Sequence, residues 1–231
     1  MADSILSLHA ITKVYGSGEQ KVVALDNVTA SFARGEFTAV VGPSGSGKTT
    51  LLNIIGCLDS PTSGTIAWEG SPMSSMTRAA LAAYRREHVA FIFQTYNLIP
   101  VLDVVENVEL PLIIAGARDK PALRRKVLDM LALVGLSDKA HRRPAELSGG
   151  QEQRVAIARA LVKDPTIVLA DEPTANLDSR TAHEIVMLMR EINQKLGTTF
   201  LFSTHDPRMM EHARRVITLM DGRIAADEGR S

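Results

Sequence analysis

The octapeptide "GPSGSGKT", Gly42 to Thr49, follows the apolar run "FTAVV" and opens the helical pattern "GKTTLLNIIGCL". A strand, a glycine-rich turn and a helix in that order commit the chain to a helix packed back on a sheet. Gly42, Gly45 and Gly47, with Pro43, Ser44 and Ser46 between them, let the backbone curl until its N–H groups surround phosphate oxygens. Lys48 then neutralises the β and γ charges of a nucleotide, and the Thr49 hydroxyl is placed to ligate Mg²⁺. A glycine-rich turn with no ligand is the competing reading; the flanking strand and helix argue against it.

Three further short apolar runs, "VAFIF" (89 to 93), "TIVLA" (166 to 170) and "TFLFS" (199 to 203), read as strands buried on both faces, hence a parallel sheet. Helical patterns separate them, and "SRTAHEIVMLMREINQKLG" ends at Gly197 as a C-cap would. From Ile5 to Phe32 the pattern instead alternates, with Leu25, Val28, Ala30 and Phe32 amid polar residues, which predicts antiparallel strands joined by the loop "GSGEQK". Between Phe93 and Thr166 no strand-like run occurs, and Leu123, Val127, Met130, Leu131 and Val134 share one helical face. Asp221-Gly222 marks a type I′ hairpin near the end. The expectation is one α/β domain over residues 1–231, a P-loop NTPase with a mostly parallel central sheet. Residues 1–94 and 166–231 form the core with its N-terminal antiparallel β part, and about 95–165 form an inserted helical subdomain.

Composition narrows the partners. Lys plus Arg and Asp plus Glu number 26 each, so no net field attracts nucleic acid, and no nucleic-acid partner is expected. Cys57 is the single cysteine, which excludes a disulfide framework and a cysteine metal site, and its apolar setting predicts a buried, inert thiol in a reducing, cytosolic compartment. The N-terminus lacks the pattern of a signal peptide, and no run reaches the roughly 18 apolar residues of a membrane span. Any span is therefore expected from another chain.

Two adjacent carboxylates, Asp171 and Glu172, end the run "TIVLA". At the carboxyl edge of a parallel sheet, Asp171 is placed to hold a Mg²⁺ shell and Glu172 to accept a proton from an attacking water. Gln94 and His205 follow two other buried runs; each either touches the γ-phosphate, the metal or the water, or simply closes a strand end. Tyr15 either stacks on an adenine or packs within its strand. The stretch "AELSGGQEQRVAIARAL" sets Ser148, Gly149, Gly150 and Gln151 at the start of a helix, a second anion-site pattern in a chain that already has one.

Taken in order, "GPSGSGKT", Gln94, "LSGGQ", "VLADEP", "NLD" (176 to 178) and His205 resemble the Walker A, Q-loop, signature, Walker B, D-loop and H-loop motifs of an ABC-transporter ATP-binding subunit. The segments around them resemble the branch that includes lipoprotein-releasing, macrolide-exporting and cell-division ATPases. The resemblance implies an ATPase that uses ATP and Mg²⁺ and forms a homodimer head to tail around two ATP. It would lie on the cytoplasmic face of the inner membrane and drive separate permease subunits that export or extract a lipoprotein, drug, peptide or haem-type client. It implies that Ser44 to Thr50 line the phosphates, with Thr49, Gln94 and Asp171 near the metal. Glu172 would then be the base, His205 the γ-phosphate contact and Tyr15 the adenine platform. Ser148 to Gly150 would close over the γ-phosphate held by Lys48 of the other copy, and Gln151 and Asp178 would also bind nucleotide. Ala175, where close relatives have glycine, and Glu152, where glutamine or arginine is common, depart from the pattern. The alternative within the same resemblance is an ATP-gated clamp that moves no solute, as among cell-division relatives.

Overall fold

A computed structural model describes residues 4–73 and 76–229. Its centre is a six-stranded sheet of order β10-β9-β3-β8-β7-β6. Strands β3 (Phe37–Val41), β6 (Val89–Ile92), β7 (Ile167–Asp171), β8 (Thr199–Thr204) and β9 (Arg215–Met220) run parallel, and β10 (Arg223–Gly229) returns antiparallel along β9. The four continuous apolar runs are thus the parallel strands β3, β8, β7 and β6, the last of them at the edge of the sheet, and both faces of this part of the sheet are covered. Asp221 and Gly222 both take left-handed φ, 47° and 77°, which is the type I′ turn that joins β9 to β10.

The pleat sends alternate residues of the sheet into two cores. On one face Val40, Ile167, Leu169 and Leu201 pack with Leu51, Leu52, Ile54 and Ile55 of α1 (Lys48–Ile55). The same core takes in Ile5, Leu25, Val28 and Phe32 from the second sheet, in which β2 (Val22–Ala33), β1 (Ser4–Tyr15), β4 (Ser63–Trp68) and β5 (Ser71–Pro72) lie in that order in antiparallel register. On the other face Phe37, Phe200 and Phe202 meet with ring centroids 5.0–5.7 Å apart. Above them lie α5 (Gly149–Leu161) and α6 (Ser179–Leu196), the latter closed by Gly197 at φ 68°.

Residues 95–165 carry three α-helices, α3 (Val104–Ile114), α4 (Lys120–Leu133) and α5. Leu123, Val127, Met130, Leu131 and Val134 are buried against α3 and α5, as their spacing predicts. These side chains share one hydrophobic core with the Phe37 face of the sheet. Asp103 and Glu106 form a capping box that starts α3, and the buried Asn107 accepts from Ile99 N–H at 2.8 Å, fixing the chain that leads into it.

The sequence-based expectations include neither the hairpin of β4 (Ser63–Trp68) and β5 (Ser71–Pro72) nor α2 (Arg78–His88), capped by Thr77, which has no buried residue. Cys57 is half-buried rather than fully buried, and desolvation raises its thiol to about 11, so it is inert as expected. No helix among the described residues is long and apolar enough to cross a membrane.

Candidate nucleotide site

The loop between β3 and α1 sits at the carboxyl end of the sheet. Gly42 and Gly47 have φ of 149° and 104°, and a Cβ on either would collide with backbone carbonyls, of Leu219 and Ala24 respectively. Only glycine lets the loop pass that close. From the far side the Gly222 N–H donates to the Ser46 carbonyl at 3.1 Å, so the last hairpin braces the loop. The Lys48 ammonium is buried and donates to the carbonyls of Gly42 and Pro43 at 2.9 and 3.0 Å, which sets it across the mouth of the loop. Ser46 Oγ is buried without a hydrogen-bond partner among the described residues.

At the ends of β7 and β8 a chain of short hydrogen bonds arranges the carboxylates. Thr49 Oγ1 donates to Asp171 Oδ2 at 2.9 Å, and Ser203 Oγ donates to Asp171 Oδ1 at 2.6 Å. Ser203 in turn accepts from the Glu172 N–H at 2.8 Å. Glu172 holds a left-handed φ of 46°, a conformation that a non-glycine residue keeps only where its surroundings impose it. Its Oε2 lies 2.9 Å from His205 Nδ1. Ser203 therefore holds the Asp171 carboxylate and the Glu172 backbone, and sequence reasoning missed it; the available signal was a hydroxyl inside an apolar strand, two residues before His205.

Ser44, Lys48, Thr49, Gln94, Glu172 and His205, among others, line one cleft of about 620 Å³, whereas Asp171 and Ser203 do not line it and are joined to it by their bonds to Thr49 and Glu172. That size is within the roughly 300–1,000 Å³ usual for ligand sites. Ala175 lines it as well, and Asn176 Nδ2 donates to the Gln94 carbonyl at 2.9 Å, tying the two loops together. Tyr15 stands at the edge and does not line the cleft, although Val22, its partner across the β1–β2 ladder, does. The Tyr15 hydroxyl donates to Asp59 at 2.7 Å and the Lys13 ammonium lies 4.8 Å from the ring centroid, so one face of the ring is covered by charge.

Ser148, Gly149, Gly150 and Gln151 do not line this cleft. Ser148 is the N-cap of α5: its Oγ accepts from Gln151 N–H at 3.4 Å while Gln151 Oε1 accepts from Ser148 N–H at 3.0 Å. The Ser148 side chain is thus exposed at the start of its helix. Gly150 is buried, and a Cβ there would strike Thr181 Cγ2 on α6. Gly150→Ala is expected to cost about 1–3 kcal/mol, seen as a melting midpoint lower by several degrees, and the added change Thr181→Ser, which removes that methyl, should restore most of it. Asp178 caps α6, and the hydroxyl and amide of Thr181, then the Arg180 amide, hold its carboxyl below the usual range. Burial raises Glu152.

The donor set fits the expected ligands. Thr49 and Asp171 present hard oxygens of the kind Mg²⁺ takes, beside a buried ammonium and a backbone curl suited to phosphate. No set of three His, Cys, Asp or Glu able to hold a metal occurs among the described residues, so a metal here would complete its shell with phosphate and water.

The family model described as ABC transporter matches residues 25–175. The macrolide export ATP-binding/permease protein MacB of Burkholderia thailandensis is 48% identical over 98% of this chain, which spans 34% of that relative. An uncharacterized ABC transporter ATP-binding protein of Thermotoga maritima is 47% identical over 98% of this chain and 96% of its own length. The dimeric structure of the ATP-binding cassette MJ0796 in a post-hydrolysis state, bound to ADP and Pi, superposes with a TM-score of 0.88 at 43% identity, covering 98% of this chain and 99% of that one. With the strand, loop and carboxylate arrangement above, these likenesses place the chain in the ABC transporter family, as an ATP-binding cassette with the P-loop ATPase fold.

Proposed function

We propose that this cassette hydrolyses ATP in a head-to-tail pair and uses the closing and opening of that pair to drive a membrane-embedded permease. The observation that carries this reading is the separation of the two anion sites: Lys48, Glu172 and His205 share a cleft that Ser148 does not reach. A cleft open on one side admits water, whereas phosphoryl transfer benefits from a closed, preorganised site. Ser148 to Gly150 and Asp178 of a second copy supply the missing wall. The dimeric form of the related MJ0796 cassette supports such a pairing.

Within one site the Ser44 to Thr50 loop holds the phosphates, Lys48 balances their charge, and Thr49, Gln94 and Asp171 would hold a Mg²⁺. That ion supplies charge neutralisation at the transferring phosphoryl group. Glu172 accepts the proton of the attacking water, and His205, at 2.9 Å from its carboxylate, fixes its direction and contacts the γ-phosphate. Tyr15 offers its free face to the adenine.

The permease contact is assigned to the groove beside Gln94 and α3. It has a volume of about 580 Å³, and Leu58, Phe91, Phe93 and Ile114 line it together with Arg85 and Arg86. Lys163 underlies it, donating to the Val89 carbonyl at 2.5 Å; burial, with Arg85 and Arg86 beside it, lowers its ammonium to about 8. Leu58 and Ile114 are exposed apolar residues on the rim of this groove, the kind of patch that marks an interaction site. The chain should therefore co-purify from membranes with a polypeptide that has membrane spans, and Ile114→Asp should reduce that recovery at least about tenfold without changing ATP binding. Unchanged recovery would remove the groove from the reading. ATP-dependent changes in the complex without solute flux would mark a regulatory clamp.

A further inference from the structure

Arg159 lies in the last turn of α5, eleven residues after Ser148. Its guanidinium reaches back to the loop after β6, where Nη1 donates to the Asn97 carbonyl at 2.5 Å and Nη2 to the Tyr96 carbonyl at 2.6 Å. Tyr96 and Asn97 both hold left-handed φ, 34° and 52°, conformations that persist only under imposed contacts. At the other end of α5 the Tyr96 hydroxyl packs over the start of the helix, 3.0 Å from where a Cβ of Gly149 would lie. Gln153, fully buried, donates from Nε2 to the Pro173 carbonyl at 2.6 Å. The helix that presents Ser148 therefore grips both the loop that carries Gln94 and the loop that follows Glu172.

We propose that Arg159 is a positioning residue that makes the Gln94 loop move with α5, so that capture of Ser148 by the nucleotide of a second copy is felt at this chain's own Gln94. This rests on the head-to-tail reading above. The physical basis is the planar fork of arginine: two N–H groups bind two successive carbonyls and fix the loop in both position and twist. Lysine offers a point charge and can hold only one of them well.

Arg159→Lys and Arg159→Met, which keeps the aliphatic stem, test this by hydrogen exchange and steady-state kinetics. Amides at residues 94–98 should exchange at least about tenfold faster in the methionine variant, with α6 and the melting midpoint unchanged. The kcat should fall about 10-fold to 100-fold while the KM for ATP stays within about twofold, and lysine should recover part of both effects. Parental exchange and kcat in Arg159→Met would overturn the proposal, as would a joint loss of kcat, ATP affinity and melting midpoint, which marks a purely structural side chain. If Glu172→Gln stays monomeric in ATP, the head-to-tail reading fails whatever Arg159 does. If it dimerises while Arg159→Met exchanges like the parent, only the positioning role fails.

Discussion

Glu172→Gln is expected to bind ATP as tightly as the parent chain and to turn it over at least about 100-fold more slowly. The substitution keeps the size of the side chain and leaves an oxygen to accept from His205 Nδ1, now 2.9 Å from Oε2. It also leaves the backbone bond to Ser203 in place, so the left-handed turn at φ 46° survives. Only the capacity to take a proton from water is lost. Because the γ-phosphate then persists, the pair should stay closed: light scattering should find a stable dimer in ATP and Mg²⁺ that disperses when nucleotide is removed. Phosphate release at the parental rate would exclude Glu172 as the base.

The second large effect concerns which chain completes which site. Ser148→Arg and Lys48→Ala chains, each pure, should be nearly inactive, because every homodimer carries two faulty sites. Mixed in equal amounts, half of the pairs combine one chain of each kind. In those pairs the good Lys48 and the good Ser148 meet at one site, while both defects fall on the other. About a quarter of all sites should therefore be intact, and phosphate release should reappear on mixing. If Ser148 served its own chain's nucleotide, mixing would restore nothing. Neither change threatens the fold: Ser148 is exposed at a helix cap, and Lys48 opens α1, where alanine is a good helix former.

The parallel strands β3, β6, β7 and β8 were legible because their apolar runs are continuous, a pattern that burial on both faces produces, with Phe37 and Ala39 entering one core and Val40 the other. The start of α5 and the end of α6 were legible for a local reason too, since Ser148 and Gly197 are residues that helix N- and C-termini favour. The helix α2 was not, because a helix that buries nothing leaves no apolar stripe to read. In α3 the Pro111 within the last turn obscured the period. At the site, the residues proposed to touch nucleotide sit in short motifs, whereas those that hold them act across the chain. Ser203 meets Asp171 from 32 positions away, and Arg159 meets Tyr96 from 63. Such contacts depend on strand order and helix packing, which no local spacing encodes. The shared core of the helical segment and the sheet is of the same kind: the helical period showed which face of α4 is apolar but not what it would pack against.

Gly150 is crowded against Thr181 two residues from an exposed Ser148, so under the proposed head-to-tail pairing neighbouring positions in one motif would answer to different molecules. In a cell with one normal and one altered copy of the gene, a bulky residue at 150 would unfold its own product and remove it from the pool, a recessive loss. An arginine at 148 would leave a sound chain that pairs with normal ones and disables their sites. Alleles two codons apart would then differ in dominance.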